Sequence, residues 1–167
     1  TPSSAASDVY KRQKQNLMKR AIIPGSFDPI TIGHCDLIEK SSKIFDEIII
    51  AVGNNIKKNY MFTLEQRTDF IKDEYKGNKK IIVKSYTGLT VDFCKKMDSN
   101  FLIRGIRNTT DFEYEKEMAQ INFHLSQIET IFLTPTNDKA HISSSFIKEI
   151  MKNKGDFKKY LPNSVKL

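Results

Sequence analysis

Ala21-Ile22-Ile23-Pro24-Gly25-Ser26-Phe27-Asp28-Pro29-Ile30-Thr31-Ile32-Gly33-His34 is the stretch on which the fold turns. A short apolar run ends in Pro-Gly, and the loop that follows carries a hydroxyl at Ser26. The segment 33–45 reads as a helix that opens on Gly33-His34. A helix N-terminus has unpaired N–H groups and the positive end of a dipole, so it attracts anions. An imidazole placed there can donate to a phosphate oxygen. The unit is the outline of a nucleotide-phosphate site.

Beyond this unit, strand-like and helix-like segments alternate. Strands are expected at 20–24, 47–52, 80–85, 100–104 and 129–134, and most are short, nearly continuous apolar runs. Such runs suit a parallel sheet buried on both faces. Helices are expected at 33–45, 63–76, 89–98, 110–127 and 143–153. Thr63-x-x-Gln66 has the spacing of a capping box. Phe112, Met118, Ala119 and Phe123 are expected to share much of one face of the fourth helix. The alternation predicts an α/β fold: a doubly wound, Rossmann-like, five-stranded parallel sheet with helices on both faces. Ligands of such sheets bind beyond the carboxyl ends of the strands.

The chain of 167 residues suits one domain with its own core. Residues 1–17 are small, polar and aperiodic at first, and carry scattered charges later. They read as a disordered or foreign extension ahead of a single domain, 18–167, with Met18 as the natural start. No apolar run approaches the roughly 20 residues that span a membrane. No secretory signal is visible either, so a soluble, cytoplasmic protein is expected, with no membrane partner. Cys35 and Cys94 are far apart and read as reduced, partly buried thiols. His34, His124 and His141 lack metal-ligand spacing, so no protein-held metal is expected. A net charge of +7 suits polyanionic partners. The lysines are scattered, however, and no basic stripe interleaved with aromatics supports a nucleic-acid partner.

The loops after the strands hold the unusual residues. Ser26, Phe27, Thr31 and His34 follow the first, and Asn54, Asn55, Lys57 and Lys58 the second. Thr87-Gly88-Leu89-Thr90 follows the third, and Arg104-Gly105-Ile106-Arg107 closes the fourth. Pro135 to His141 and Ile142-Ser143-Ser144-Ser145 follow the fifth. His34 reads either as a helix-cap residue or as a phosphate donor. The serine run reads either as ordinary N-capping or as a phosphate cradle. The two arginines suit forked binding of phosphate or structural ion pairs. Glu115 is open to a ribose or amine contact, or to a favourable place near a helix start. No serine has an evident base and no loop offers paired carboxylates. That points to phosphate electrostatics rather than a hydrolytic triad. Neither a Walker loop nor G-x-G-x-x-G is present.

The ordered set resembles a known family. Pro24 to His34 is similar to the first motif of the nucleotidyltransferase superfamily with T-x-G-H or H-x-G-H signatures, and Ile142-Ser143-Ser144-Ser145 to its second. Met61-Phe62-Thr63-Leu64-Glu65-Gln66-Arg67, Leu102 to Arg107 and Asp111-Phe112-Glu113-Tyr114-Glu115 resemble, more narrowly, the bacterial phosphopantetheine adenylyltransferases. The resemblance implies adenylyl transfer from ATP to 4′-phosphopantetheine, giving dephospho-coenzyme A and pyrophosphate, with Mg2+ carried mainly by ATP. It implies direct in-line attack on the α-phosphate, with no covalent intermediate. By matching position, His34, Lys58 and Ser26 would be catalytic. Ser26, Phe27, His34, Gly105, Ile106, Arg107, Glu115, Lys139, Ala140, His141, Ile142, Ser143, Ser144 and Ser145 would bind ATP. Ser26, Lys58, Thr90 and Arg104 would bind the acceptor. A homohexamer is also implied.

The departures are modest. Ser26 stands where threonine is usual, and Thr90 where an apolar residue is usual. Asn59-Tyr60 replaces a common Lys-Pro, which implies a more mobile loop after Lys58. Phe123 follows Asn122 where arginine is frequent, which bears on a subunit contact. Competing readings are a nucleotidyltransferase for another acceptor such as nicotinamide mononucleotide, an RNA-binding protein, and an inactive regulatory homologue.

Overall fold

The computed structural model describes residues 18–167 and, ahead of them, Ala6, Asp8 and Val9. The expected extension 1–17 otherwise lies outside the described residues. Five strands form one sheet: β1 (Arg20–Gly25), β2 (Glu47–Gly53), β3 (Ile81–Tyr86), β4 (Phe101–Gly105) and β5 (Glu129–Leu133). All neighbours are parallel, in the order β3-β2-β1-β4-β5. The helices are α1 (Ile32–Ser42), α2 (Leu64–Glu74), α3 (Thr90–Lys96), α4 (Thr109–Ser126) and α5 (Ser144–Lys152). Each expected element is present, with ends shifted by up to three residues.

The two faces of the sheet have separate cores. Ala21, Ile23, Ile48, Ile50, Val52 and Ile103 pack with Ile38 of α1 and Ile71 of α2. Ile22, Ile49, Ala51 and Leu102 pack on the other face with Val91, Phe93 and Cys94 of α3. Alternate residues of one strand thus serve opposite faces. Cys94 is buried and Cys35 half-buried, and burial raises both thiols, Cys35 to about 11 and Cys94 to about 12. Both are free, protonated side chains at neutral pH.

Helix α4 departs from expectation. Phe112, Met118 and Phe123 are exposed, and so are Tyr114, Ile121 and Leu125. The half-buried side is Asp111, Glu115, Ala119, Asn122 and Ser126. The apolar residues do not form a core stripe. The polar and small residues face inward because Arg104 and Arg107 ion-pair with Glu115 and Asp111. Phe112 alone among these apolar residues meets a sheet aromatic, edge-on to Phe132 at 5.9 Å.

Candidate active site

Strands β1 and β4 are neighbours in space but not in sequence. Their connections leave in opposite directions, and this opens a crevice at their carboxyl ends. Ser26 follows β1 there, and Arg104 and Gly105 end β4. Arg104 spans the crevice: its Nη1 donates to the Pro24 carbonyl at 2.9 Å. Its Nε and Nη2 donate to the two carboxylate oxygens of Glu115, at 2.8 and 2.6 Å. Burial opposes the guanidinium charge, and Glu115 more than offsets it. A guanidinium has five N–H donors, so this network leaves two free for a ligand.

Two cavities meet at this point. The narrower, about 310 Å³, lies over α1 and is lined by Phe27, His34, Gly105, Arg107, Glu115 and Ser143, among others. The wider, about 580 Å³, lies over β2 and β3 and is lined by Lys58, Tyr60, Tyr86 and Thr90, among others. Pro24, Gly25, Ser26 and Arg104 line both. One hydroxyl and one guanidinium therefore form a common wall.

His34 is both a cap and a cavity residue. Thr31 is the N-cap of α1, and its hydroxyl accepts from the His34 backbone N–H at 3.4 Å. In return the Thr31 N–H donates to His34 Nδ1 at 3.1 Å. The imidazole thus takes the part usually played by Glu or Gln in a capping box. An Nδ1 that accepts from an amide leaves the proton on Nε2. Burial, then Arg107, then Arg104 lower the pKa from 6.5 to about 4. His34 is therefore a neutral N–H donor at physiological pH, with Phe27 packed 5.0 Å from its ring.

The last loop closes over the first. A Cβ on Gly33 would lie 3.0 Å from the Ile142 carbonyl oxygen, so any larger residue would push these backbones apart by a few tenths of an ångström. Ser144 donates to the Pro29 carbonyl at 2.8 Å, and Ser143 caps α5 by accepting from the Phe146 N–H. Both serines thus have partners within the protein, one local and one distant, and also line the narrower cavity. Asp36 accepts from the Thr136 N–H and hydroxyl, at 2.9 and 2.6 Å. Burial would raise its pKa, but Thr136 and Lys40 outweigh burial and hold it at about 2. Lys139, 3.7 Å from Asp36, is thereby held at the cavity edge.

Two buried charged residues build the frame, and sequence reasoning gave neither a role. Asp28 accepts from the Met61 and Phe62 N–H groups, both at 2.9 Å, and pairs with Lys148 at 3.1 Å. Arg67, in the first turns of α2, donates to the carbonyls of Ser26 at 2.6 Å and Gly53 at 3.0 Å. Asp28 had a weak signal, a charge between Phe27 and Pro29-Ile30, and Arg67, among Glu65, Gln66, Thr68 and Asp69, had none. The loop after Lys58 is not free either. The Tyr60 hydroxyl accepts from the Asn55 N–H at 2.8 Å, and the Tyr60 ring lies under Arg67.

The expected ATP residues converge in part. Ser26, Phe27, His34, Gly105, Arg107, Glu115, Lys139, Ile142, Ser143 and Ser144 line the narrower cavity. Ile106, Ala140, His141 and Ser145 lie outside that lining. His141 instead meets Phe146 and Tyr160 edge-on. The expected acceptor residues Ser26, Lys58, Thr90 and Arg104 all line the wider cavity. Thr90 there shares a 2.8 Å hydrogen bond with Tyr86. Among the described residues, no group of three or more His, Cys, Asp or Glu side chains converges on a point.

The chain matches the cytidylyltransferase-like family model over residues 22–150. It is 47% identical over 149 residues to the phosphopantetheine adenylyltransferase of Christiangramia forsetii, covering 89% of this chain and 99% of that one. With the phosphopantetheine adenylyltransferase of Flavobacterium psychrophilum it shares 49% over 150 residues, covering 90% and 99%. The fold resembles a bifunctional NMN adenylyltransferase/ADP ribose pyrophosphatase from Francisella tularensis complexed with AMP and a manganese ion. The TM-score is 0.65 at 14% identity, covering 88% of this chain and 45% of that one.

Proposed function

Because the chain belongs to the cytidylyltransferase-like family and, within it, to the phosphopantetheine adenylyltransferases, we propose that it is a nucleotidyltransferase that adenylylates 4′-phosphopantetheine with ATP. The products are dephospho-coenzyme A and pyrophosphate, the penultimate step of coenzyme A synthesis. One observation carries the reading beyond the family: two cavities share a wall made by Ser26 and Arg104. A direct transfer needs two substrates whose reacting phosphates meet at one point.

ATP occupies the narrower cavity and phosphopantetheine the wider. A phosphate oxygen of phosphopantetheine attacks the α-phosphorus in line, the new P–O bond forms, and pyrophosphate leaves. The acceptor phosphate is already a nucleophile, so the protein positions the groups and stabilises charge. The neutral Nε2–H of His34 donates to the α-phosphate as charge builds. Lys58 and Arg104 hold the incoming phosphate, and Ser26 contacts the phosphates of both substrates. Thr90 meets the pantetheine arm. Phe27, Gly105, Arg107, Glu115, Lys139, Ile142, Ser143 and Ser144 hold ATP from the cavity wall, while Ile106, Ala140, His141 and Ser145, outside that wall, are assigned to ATP by resemblance alone.

Magnesium fits this scheme as an ion carried by the nucleotide phosphates. Glu115 and Asp111, the carboxylates of the narrower cavity, are both paired with arginines, which leaves the nucleotide phosphates as the oxygen ligands that suit the ion. When bound, the ion supplies charge neutralisation on the phosphates.

The exposed apolar residues of α4 suit burial against further copies of the chain, in a homohexamer. Among the described residues no helix is long and apolar enough to cross a membrane, and we place the enzyme in the cytoplasm.

Pyrophosphate release from ATP and magnesium, with and without 4′-phosphopantetheine, tests the reading. Acceptor-dependent release with a product of the mass of dephospho-coenzyme A is the expected result. Release that requires nicotinamide mononucleotide instead would move the chain to another acceptor. Sedimentation reads the assembly.

A further inference from the structure

Arg67 is fully buried yet has no ion-pair partner among the described residues. A charge in that setting needs compensation from dipoles or ring faces. Its Nη1 donates to the carbonyls of Ser26 and Gly53, and its Nη2 lies 3.4 Å from Asn54 Oδ1. Its guanidinium carbon sits 3.9 Å from the centre of the Tyr60 ring. The Tyr60 hydroxyl in turn accepts from the Asn55 N–H at 2.8 Å and lies 3.4 Å from the Gly53 carbonyl. Asn55 then carries the lysine turn. Its carbonyl accepts from the Lys58 N–H and its side-chain oxygen from the Lys57 N–H, both at 2.9 Å.

A continuous path therefore runs from Ser26 through Arg67, Tyr60 and Asn55 to Lys58. Its two ends are the backbone carbonyl of Ser26 and the backbone N–H of Lys58, two residues that line the wider cavity. Nothing else described in the turn 55–58 holds it to the sheet as directly. Ile56 is 91% exposed, and the Lys57 and Lys58 side chains are exposed too.

We infer that the stacked Arg67–Tyr60 pair is a strut that sets the position of Lys58 relative to Ser26, so that Tyr60 and Arg67 are positioning residues for the acceptor phosphate. This rests on the reading of Lys58 and Ser26 given above. Neither strut residue needs to touch the reacting atoms. Tyr60 acts through the one hydrogen bond its hydroxyl accepts from Asn55, and Arg67 acts through the carbonyls it gathers.

Tyr60→Phe tests this with little risk to folding, because it keeps the ring on Arg67 and removes only the hydroxyl. A single hydrogen bond is worth up to about tenfold. The expected result is a KM for phosphopantetheine raised about fivefold with the KM for ATP within about twofold. Made on a Lys58→Ala background, the same change should add nothing, since residues acting through one group are not additive. A merely structural role would add in full. Equal effects on both substrates, or full additivity with Lys58→Ala, would overturn the inference.

Amide exchange at Asn55 reads the strut without substrate. Faster exchange in Tyr60→Phe, by about tenfold, is expected, and unchanged exchange removes the strut. If the native chain does not adenylylate phosphopantetheine, the functional reading fails first. The kinetic role of the strut then falls with it, while exchange still decides whether the strut exists.

Discussion

The two cavities are built by different means. Over α1, the wall is made of groups already committed to one another: His34 to Thr31, Arg104 to Glu115, Ser144 to Pro29, Lys139 to Asp36. Over β2 and β3, the cationic group stands on an exposed turn and owes its place to a short chain of contacts. The first is preorganised, and the second is a surface that a ligand completes. Preorganised donors act on developing charge without first having to reorganise. A flexible ammonium adds attraction at the cost of ordering it. The difference implies that chemistry is governed from the α1 side and acceptor affinity from the β2 side.

The strongest challenge to that division is His34→Ala. Turnover should fall about 10²–10³-fold, as for loss of a transition-state donor, with the circular dichroism spectrum unchanged. Near-normal turnover would remove the preorganised side from the chemistry. Next in size is Arg104→Ala. It empties the common wall and leaves the Glu115 carboxylate unpaired inside the narrower cavity, so both affinities should drop by about tenfold or more. Calorimetry that shows loss of only one substrate would mean the wall is not shared. Lys58→Ala should weaken phosphopantetheine about tenfold and ATP by less than twofold. A larger loss of ATP would reverse the two subsites.

Gly33→Ala is expected to be milder. Its Cβ would press on the Ile142 carbonyl at 3.0 Å, costing about 1–2 kcal/mol of stability and loosening ATP a few-fold. Thermal melts with and without ATP would measure both. The smallest effect is the absence of one. His34 should not titrate between pH 5 and 8, because its pKa in the folded chain is about 4. The unfolded chain takes up that proton near 6.5. Stability from this group is therefore complete above 6.5, falls as pH drops, and stops falling below about 4. An imidazole resonance with a midpoint near 6.5 would show the site to be wetter than its geometry.

Much of the α1 side was legible in sequence, because it is local. Thr31 to His34 lie within one turn and the serine run opens its own helix, so both read as helix starts, although Thr31 itself was not read as the cap. What escaped was non-local. Asp28 meets α5 and the approach to α2, and Arg67 reaches back to Ser26, over separations that no periodicity records. The stacking of Tyr60 on Arg67 escaped for the same reason, since its partner lies on another element. Helix α4 shows a further limit. A 3.6-residue period marks an apolar side but does not say whether the domain's own core or another surface covers it. Here arginines on β4 and in the loop after it draw the carboxylates inward and leave the apolar residues to either side exposed.

The closure of the last loop on the first also bears on how the protein is made. Pro29 waits for Ser144, Asp28 for Lys148, and Gly33 for Ile142. A chain emerging from the ribosome presents the turn after β1 and must wait more than a hundred residues for the other half. Contacts that far apart form late. Until then the growing polypeptide carries the motif but lacks the narrower cavity, so a ligand of that cavity cannot assist its folding.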